Sequence, residues 1–294
     1  MLKRTIYEEE HEIFRKSVRA WAETEIFPHS ERWREEGSVS REIWRSAGAQ
    51  GFLCMYADEM YGGLGLDDFR YDMILCEEIG PRESGFFLGL HNRIVGPYLQ
   101  KFASDAQRRK YMPGAVSGET ILAIAMTEPG AGSDLAAVST RAVEKEDHWV
   151  LSGSKTYISN GFLAGLVVVA ARTNPEKSHE IGLFLVEDGW DGFSRGRNLK
   201  KVGLHSQDTA ELYFDEVKVP KANVLGDPRA GFKIMMTNLA EERLIGAVGF
   251  LARAERAFDI TMDYIQERRA FGRAIGTFQN SRFNMLLKLE LTEG

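Results

Sequence analysis

Nine residues, Met126-Thr127-Glu128-Pro129-Gly130-Ala131-Gly132-Ser133-Asp134, follow the apolar run Ile121 to Ala125 and form a turn rich in groups that hold ligands. Glycines at 130 and 132 let backbone N–H groups approach an anion or a ring closely, while Thr127, Ser133 and Asp134 add hydroxyl and carboxylate partners. Such a loop suits a cofactor or a phosphate. A dinucleotide fingerprint fits poorly, because Leu135 stands where G-x-G-x-x-G needs its third glycine. The residues that follow, Ser139 to Glu144 and His148 to Gly153, read as two strands around a polar turn, so no helix N-terminus is offered to a pyrophosphate.

The elements around this loop divide by hydrophobic period. To about residue 119 the chain is helical: Ile13, Phe14, Val18, Trp21 and Ala22 share a face that Pro28 ends. Ser40 caps Arg41 to Ala49, Asp67 or Asp68 caps a segment carrying Tyr71, Ile74, Leu75 and Ile79, and Ser104 caps a helix expected to stop before Pro113. From 120 to 225 the runs are short and β-rich, as in Leu166 to Ala171, Ile181 to Val186 and the alternating Leu212, Phe214, Val217 and Val219. From 226 to 294 the chain is helical again, with a long run from Gly231 to Arg268 and a second from near Thr277. The expected architecture is α+β: an N-terminal helical domain (1–119), a central β-barrel-like or sandwich domain (120–225), and a C-terminal helical bundle (226–294) left incomplete.

Composition narrows the function. With 37 Lys+Arg against 43 Asp+Glu the formal charge is −6, which offers no footprint for nucleic acid. Cys54 and Cys76 lack C-x-x-C spacing and sit among apolar residues, as small core hydrophobes do. No export signal and no membrane span is read, so the expected location is the cytoplasm. No metal-ligand spacing, Ser-His-Asp order or P-loop occurs, and the chemistry that remains is redox. His91 reads as hydrogen-bonded structure and receives no role.

The loop resembles the flavin loop of the acyl-CoA dehydrogenase family. The likeness continues through Lys155 to Gly161, the strand Glu211 to Pro220, and Glu267-Arg268-Arg269-Ala270-Phe271-Gly272, in family order over the whole chain. The resemblance implies FAD as cofactor, flanked by Met126, Thr127, Gly132 and Ser133 and by Tyr157, Ile158 and Ser159. The family usually has Trp at the place of Tyr157. Arg268, Phe271 and Gln279 resemble the residues by which a neighbouring subunit grips the FAD pyrophosphate and adenine.

In this family a carboxylate removes the α-proton of an acyl-CoA thioester while the β-hydrogen leaves as hydride to flavin N5. This chain resembles the long-chain and isovaleryl group, whose base is a Glu on the first long C-terminal helix, directly before an Arg. Leu239-Ala240-Glu241-Glu242-Arg243-Leu244 places Glu242 there, with Arg243, and Ser133 in the loop, as substrate contacts. Helix spacing agrees independently. Gly246 and Gly249 lie at i+4 and i+7 from Glu242, each costs about 1 kcal/mol relative to alanine, and a face emptied at that cost leaves room for a ligand chain or a close neighbour. Glu241 points about 100° away and is expected to face solvent or the N-terminal domain.

The expected activity is therefore dehydrogenation of an acyl-CoA to its trans-2-enoyl thioester, as in fatty-acid β-oxidation. The implied partners are an electron-transfer flavoprotein and further copies in a homo-oligomer, dimer or tetramer. Family chains continue through more C-terminal helices. Phe278, Phe283, Met285, Leu286 and Leu289 are thus expected to lack their packing partners, and this chain alone to turn over poorly. The rival readings are another flavin oxidase or monooxygenase on the same fold, and a non-catalytic, flavin-free remnant.

Overall fold

The structure is a computed structural model; it describes the backbone of residues 4–293 and the side chains of 4–286 and 288, so that of Leu289 lies outside the described residues. Its first third is helical. Helix α1 (Glu9–Trp21) opens on a capping box between Glu8 and His11 and runs on through a π turn (Ala22–Ile26) and a 3-10 turn at Pro28 into α2 (Ser30–Glu36). Ser40 precedes α3 (Arg41–Ala49), and the Asp68 carboxylate accepts from Arg70 N at the start of α4 (Phe69–Ile79). A π segment, Leu90–Val95, leads into α5 (Gly96–Phe102).

Ser104 and Gln107 cap α6 (Asp105–Ser117), which passes through Pro113 rather than stopping before it. An interior proline costs about 3 kcal/mol. Burial of Tyr111 and Met112 before it and of Ala115 and Val116 after it offsets that cost.

The central sheet has the order β6-β7-β3-β2-β4-β5-β8, with β1 beside β4 in parallel. Its strands are β1 (Leu122–Ala125), β2 (Arg141–Glu144), β3 (His148–Ser159), β4 (Leu166–Arg172), β5 (Ile181–Glu187), β6 (Phe193–Asn198), β7 (Thr209–Pro220) and β8 (Val224–Leu225). Strand β4 is buried on both faces, as its continuous valine run requires. On one face Leu122, Val168, Leu183 and Leu185 join Tyr98, Leu99 and Met112 of α5 and α6. On the other, Val167, Val169, Phe184 and Phe214 pack with Trp149. Between β1 and β2 the only helical turn is Leu135–Ala137, so the dinucleotide reading has no support.

Helix α7 (Gly231–Glu267) follows, then the hairpin β9 (Arg269–Ala270) and β10 (Arg273–Ala274), then α8 (Gln279–Glu293). The first half of α7 is buried through Ile234, Met235, Asn238, Ile245, Gly249 and Ala252. Contacts with α4, α5 and β5 set α7 against both the N-terminal helices and the sheet. Farther along, Ile260, Tyr264, Phe283 and Leu286 remain exposed.

Candidate active site

The glycine loop is held by a buried ion pair. The Lys155 ammonium from β3 donates to Glu128 Oε1 (2.8 Å) and to Met126 O (2.9 Å), while Glu128 also accepts from Ser139 N and Oγ and from Thr140 N. Burial pushes Lys155 down to about 8. Burial opposes the Glu128 charge as well, yet Lys155 and the hydrogen bonds from Ser139 and Thr140 hold it at about 2, so both are charged at neutral pH. The turn closes by paired backbone bonds between Glu128 and Ala131, and Thr156 N donates to Thr127 O at 3.0 Å. The two predicted flavin segments are therefore stitched together.

Within this frame the expected ligand groups stand free. Among the described residues, the hydroxyls of Thr127, Ser133 and Ser159 have no protein partner in any hydrogen bond. A Cβ at Gly130 or Gly132 would meet nothing within 4 Å, so the fold itself does not require glycine there. Opposite Glu211, β3 carries a bulge between Lys155 and Ile158 that holds Tyr157 at φ 58° and leaves its ring 67% exposed. An aromatic presented outward at a strained position is a feature the core does not need. Within this set the Ile158 side chain is buried in a cluster with Trp149, Ala210 and Leu212, so its main chain is what it presents to a ligand.

Glu242 lies on the buried half of α7. Its Oε1 accepts from Tyr98 Oη at 2.9 Å and from Asn238 Nδ2 at 3.3 Å, and among the described residues Oε2 has no partner. Asn238 is itself fixed, donating to Arg93 O and Ile94 O and accepting from Lys101 Nζ. Burial raises the Glu242 carboxyl above its ordinary value, the neighbouring Glu241 charge adds to the rise, and the Tyr98 and Asn238 hydrogen bonds oppose it. The result is a carboxylate with one oxygen anchored and one available to take a proton. Glu241 turns to the N-terminal domain, where Arg93 Nη1 (3.1 Å) and Lys101 Nζ (3.3 Å) hold it, and Arg243 is exposed.

The glycine stripe opens on empty space. A Cβ at Gly246 would meet nothing within 4 Å, and one at Gly249 would first meet Phe87 at 3.8 Å, so a void and not a tight contact explains them. The void is a cavity of about 160 Å³ between α4, the 84–88 loop and α7, with Leu75, Ile79, Phe86 and Phe87 among its apolar walls.

Arg268, Phe271 and Gln279 are all exposed, and Phe271 is 95% so at φ 52° in the two-residue turn of the β9–β10 hairpin. At about 1.5 Å per residue, Arg268 stands roughly 39 Å along α7 from Glu242, so within one chain these residues do not meet the base. His91 is structural. Its Nδ1 accepts from Leu122 N, its Nε2 donates to Ala115 O, and burial lowers it to about 4.

Comparison with known proteins bears directly on this arrangement. Residues 8–119, 123–217 and 229–290 match, in turn, the N-terminal, middle and C-terminal domains of acyl-CoA dehydrogenase. The chain belongs to the acyl-CoA dehydrogenase family. It is 42% identical over 279 residues to the long-chain specific acyl-CoA dehydrogenase, mitochondrial, of Sus scrofa, covering 94% of this chain and 65% of that protein. A crystal structure of acyl-CoA dehydrogenase from Geobacillus kaustophilus superposes with a TM-score of 0.97 at 43% identity, over 99% of this chain and 77% of that one. A glutaryl-CoA dehydrogenase from Mycobacterium smegmatis, solved in complex with FADH2, gives a TM-score of 0.87 at 27% identity over 98% and 73%. The family's fold, helices flanking a β domain, is the one found here, and among the described residues no helix is long and apolar enough to cross a membrane.

Sequence reasoning singled out Glu242 and the loop but not the groups that hold them, Tyr98, Asn238, Glu128 and Lys155. Asn238 carried a signal, because i−4 from the base puts it on the same helix face. Tyr98 carried none.

Proposed function

We propose that the complete protein is an FAD-dependent acyl-CoA dehydrogenase in which Glu242 removes the α-proton of the thioester. The observation that carries this is the half-buried Glu242 carboxylate, anchored at Oε1 and unpartnered at Oε2, at the head of a helix stripe whose glycines open an apolar cavity. FAD, when bound, supplies the acceptor for the β-hydrogen as hydride. The unpartnered Thr127, Ser133 and Ser159 hydroxyls, the open glycines and the exposed Tyr157 ring fit a flavin, and the buried Glu128–Lys155 pair fixes the loop that carries them. Met126 and Ile158 offer main-chain groups to the same ligand. Ser133 and Arg243 contact the thioester and its CoA part.

The domains divide near 119 and 225. Arg268, Phe271 and Gln279 reach the flavin of a second copy, a reading supported by their distance from Glu242 along α7. The protein is therefore a homo-oligomer, and it passes its electrons to an electron-transfer flavoprotein. Anaerobic addition of acyl-CoA thioesters to the flavin-loaded protein tests the reaction: bleaching of the flavin band supports it, and a flavin that stays oxidised with every chain length refutes it.

A further inference from the structure

One charged side chain on the wall of the apolar cavity has no ionic partner. Arg253 lines the void beside Gly249 and Phe250, its Nε donates to Gly249 O at 3.0 Å, and its guanidinium lies 4.9 Å from the centroid of the Phe250 ring. Among the described residues no carboxylate comes within ion-pair distance of it. Its neighbours on α7 are committed elsewhere, with Glu255 paired to Arg4. The half-buried Arg253 side chain shares the cavity wall with Leu75, Ile79, Phe86 and Phe87, and its terminal nitrogens retain unused N–H donors. The side chains of Ser84 and Gln207, which among the described residues have no hydrogen-bond partner, line the same cavity.

The position of Arg253 is also geometric. At about 100° per residue, Gly246, Gly249 and Arg253 fall within about 40° of the line drawn along α7 from Glu242. Base, two glycines and arginine thus form one stripe. The Cα atoms of Glu242 and Arg253 are about 16 Å apart along the axis, and the Arg253 head is drawn one turn back toward the base by its bond to Gly249 O.

We propose that Arg253 selects acyl thioesters whose far end carries a carboxylate, that is, the mono-CoA thioesters of α,ω-dicarboxylic acids. This deepens the acyl-thioester reading above and rests on it. The α-carbon lies at Glu242, the methylenes run over Gly246 and Gly249, and the ω-carboxylate meets the guanidinium, with Ser84 Oγ–H and the Gln207 amide as further donors. An extended chain advances about 1.2 Å per bond, so a span of roughly 10–16 Å between the two side-chain heads corresponds to a diacid of about ten to fifteen carbons. A charge-assisted pair in a water-poor cavity is strong, and an uncharged methyl end leaves the arginine unpaired.

The test is isothermal titration calorimetry of the flavin-loaded protein with decanoyl-CoA and with the mono-CoA thioester of decanedioic acid, which needs no turnover. The expected result is at least tenfold tighter binding of the diacid thioester. Arg253→Met reverses the order, weakening the diacid thioester at least tenfold and tightening decanoyl-CoA. Arg256→Met, one turn farther along α7 and lining a separate cleft with Arg4 and Glu77, keeps the parent's discrimination. No discrimination by the parent, including no binding of either thioester, overturns the proposal, as does a preference that survives Arg253→Met. Anaerobic bleaching by decanoyl-CoA is read separately: bleaching without diacid preference leaves the dehydrogenase reading standing and removes only this inference.

Discussion

Replacing Tyr98 with phenylalanine removes one O–H from the Glu242 carboxylate and little else. The ring is fully buried against its neighbours, among them Phe102 at 6.4 Å between centroids, and phenylalanine keeps that packing. The lost bond is 2.9 Å long and charge-assisted, and it favours the ionised carboxylate over the protonated one. A hydrogen bond to a charged group contributes about 1.5–3 kcal/mol, and 1.36 kcal/mol is a factor of ten in the ionised fraction. Burial and the Glu241 charge already favour the protonated form, so removing an opposing hydrogen bond moves the carboxyl farther upward. Asn238 still holds Oε1 in place. The rate of anaerobic flavin reduction by acyl-CoA, followed by stopped flow across a pH series, therefore falls about tenfold on the acid limb, and the limb moves to higher pH. At high pH, where the carboxylate is ionised in both proteins, the two rates converge to within a few-fold. A superimposable pH profile, or a limb displaced to lower pH, refutes the reasoning.

Glu128→Ala leaves Lys155 buried without its partner; it is expected to lower stability by about 3–5 kcal/mol in urea unfolding and to lower flavin content, and the Glu128→Leu/Lys155→Met double variant to regain most of the stability. His91 titrates near 4 when folded against an ordinary value of 6.5, so between these values the unfolded chain binds more protons and stability rises with pH. From pH 7 to pH 5 this group accounts for a loss of about 2 kcal/mol, and His91→Gln is expected to flatten that slope in denaturant titrations. Acid release and chromatography of the bound cofactor should yield FAD and not FMN, because Arg268, Phe271 and Gln279 are placed to serve the pyrophosphate and adenine half.

Some of this was legible in the sequence because it is local. Helix α7 and the caps Asp68 and Ser104 follow from period and short-range chemistry, and the strands β2 and β3 from alternation around a polar turn. Pro113 misled, since the local penalty is outweighed by burial on both sides that only the tertiary structure reveals. The inward turn of the Ile158 side chain was not legible either: a bulge at Thr156 and Tyr157 decides which side chain faces out, and neighbouring residue types do not announce it. One partner each of Glu242 and Glu128 comes from a more distant stretch. Tyr98 is separated from Glu242 by 144 positions and Lys155 from Glu128 by 27, so no spacing rule links them. Glu241 was predicted to leave the base's face, and it does so by pairing with Arg93 and Lys101, which makes Glu241→Gln a perturbed control and not a silent one.

The central claim, that Glu242 is the proton-abstracting base, is tested most directly by Glu242→Gln in the complete flavin-loaded enzyme. The amide keeps the size of the side chain and can still accept from Tyr98, but it cannot take the α-proton. Mixed anaerobically with acyl-CoA in a stopped-flow spectrometer, the variant is expected to retain its FAD and bind thioester while flavin reduction slows by at least 10²–10⁴-fold. Reduction at the parent rate would contradict the account.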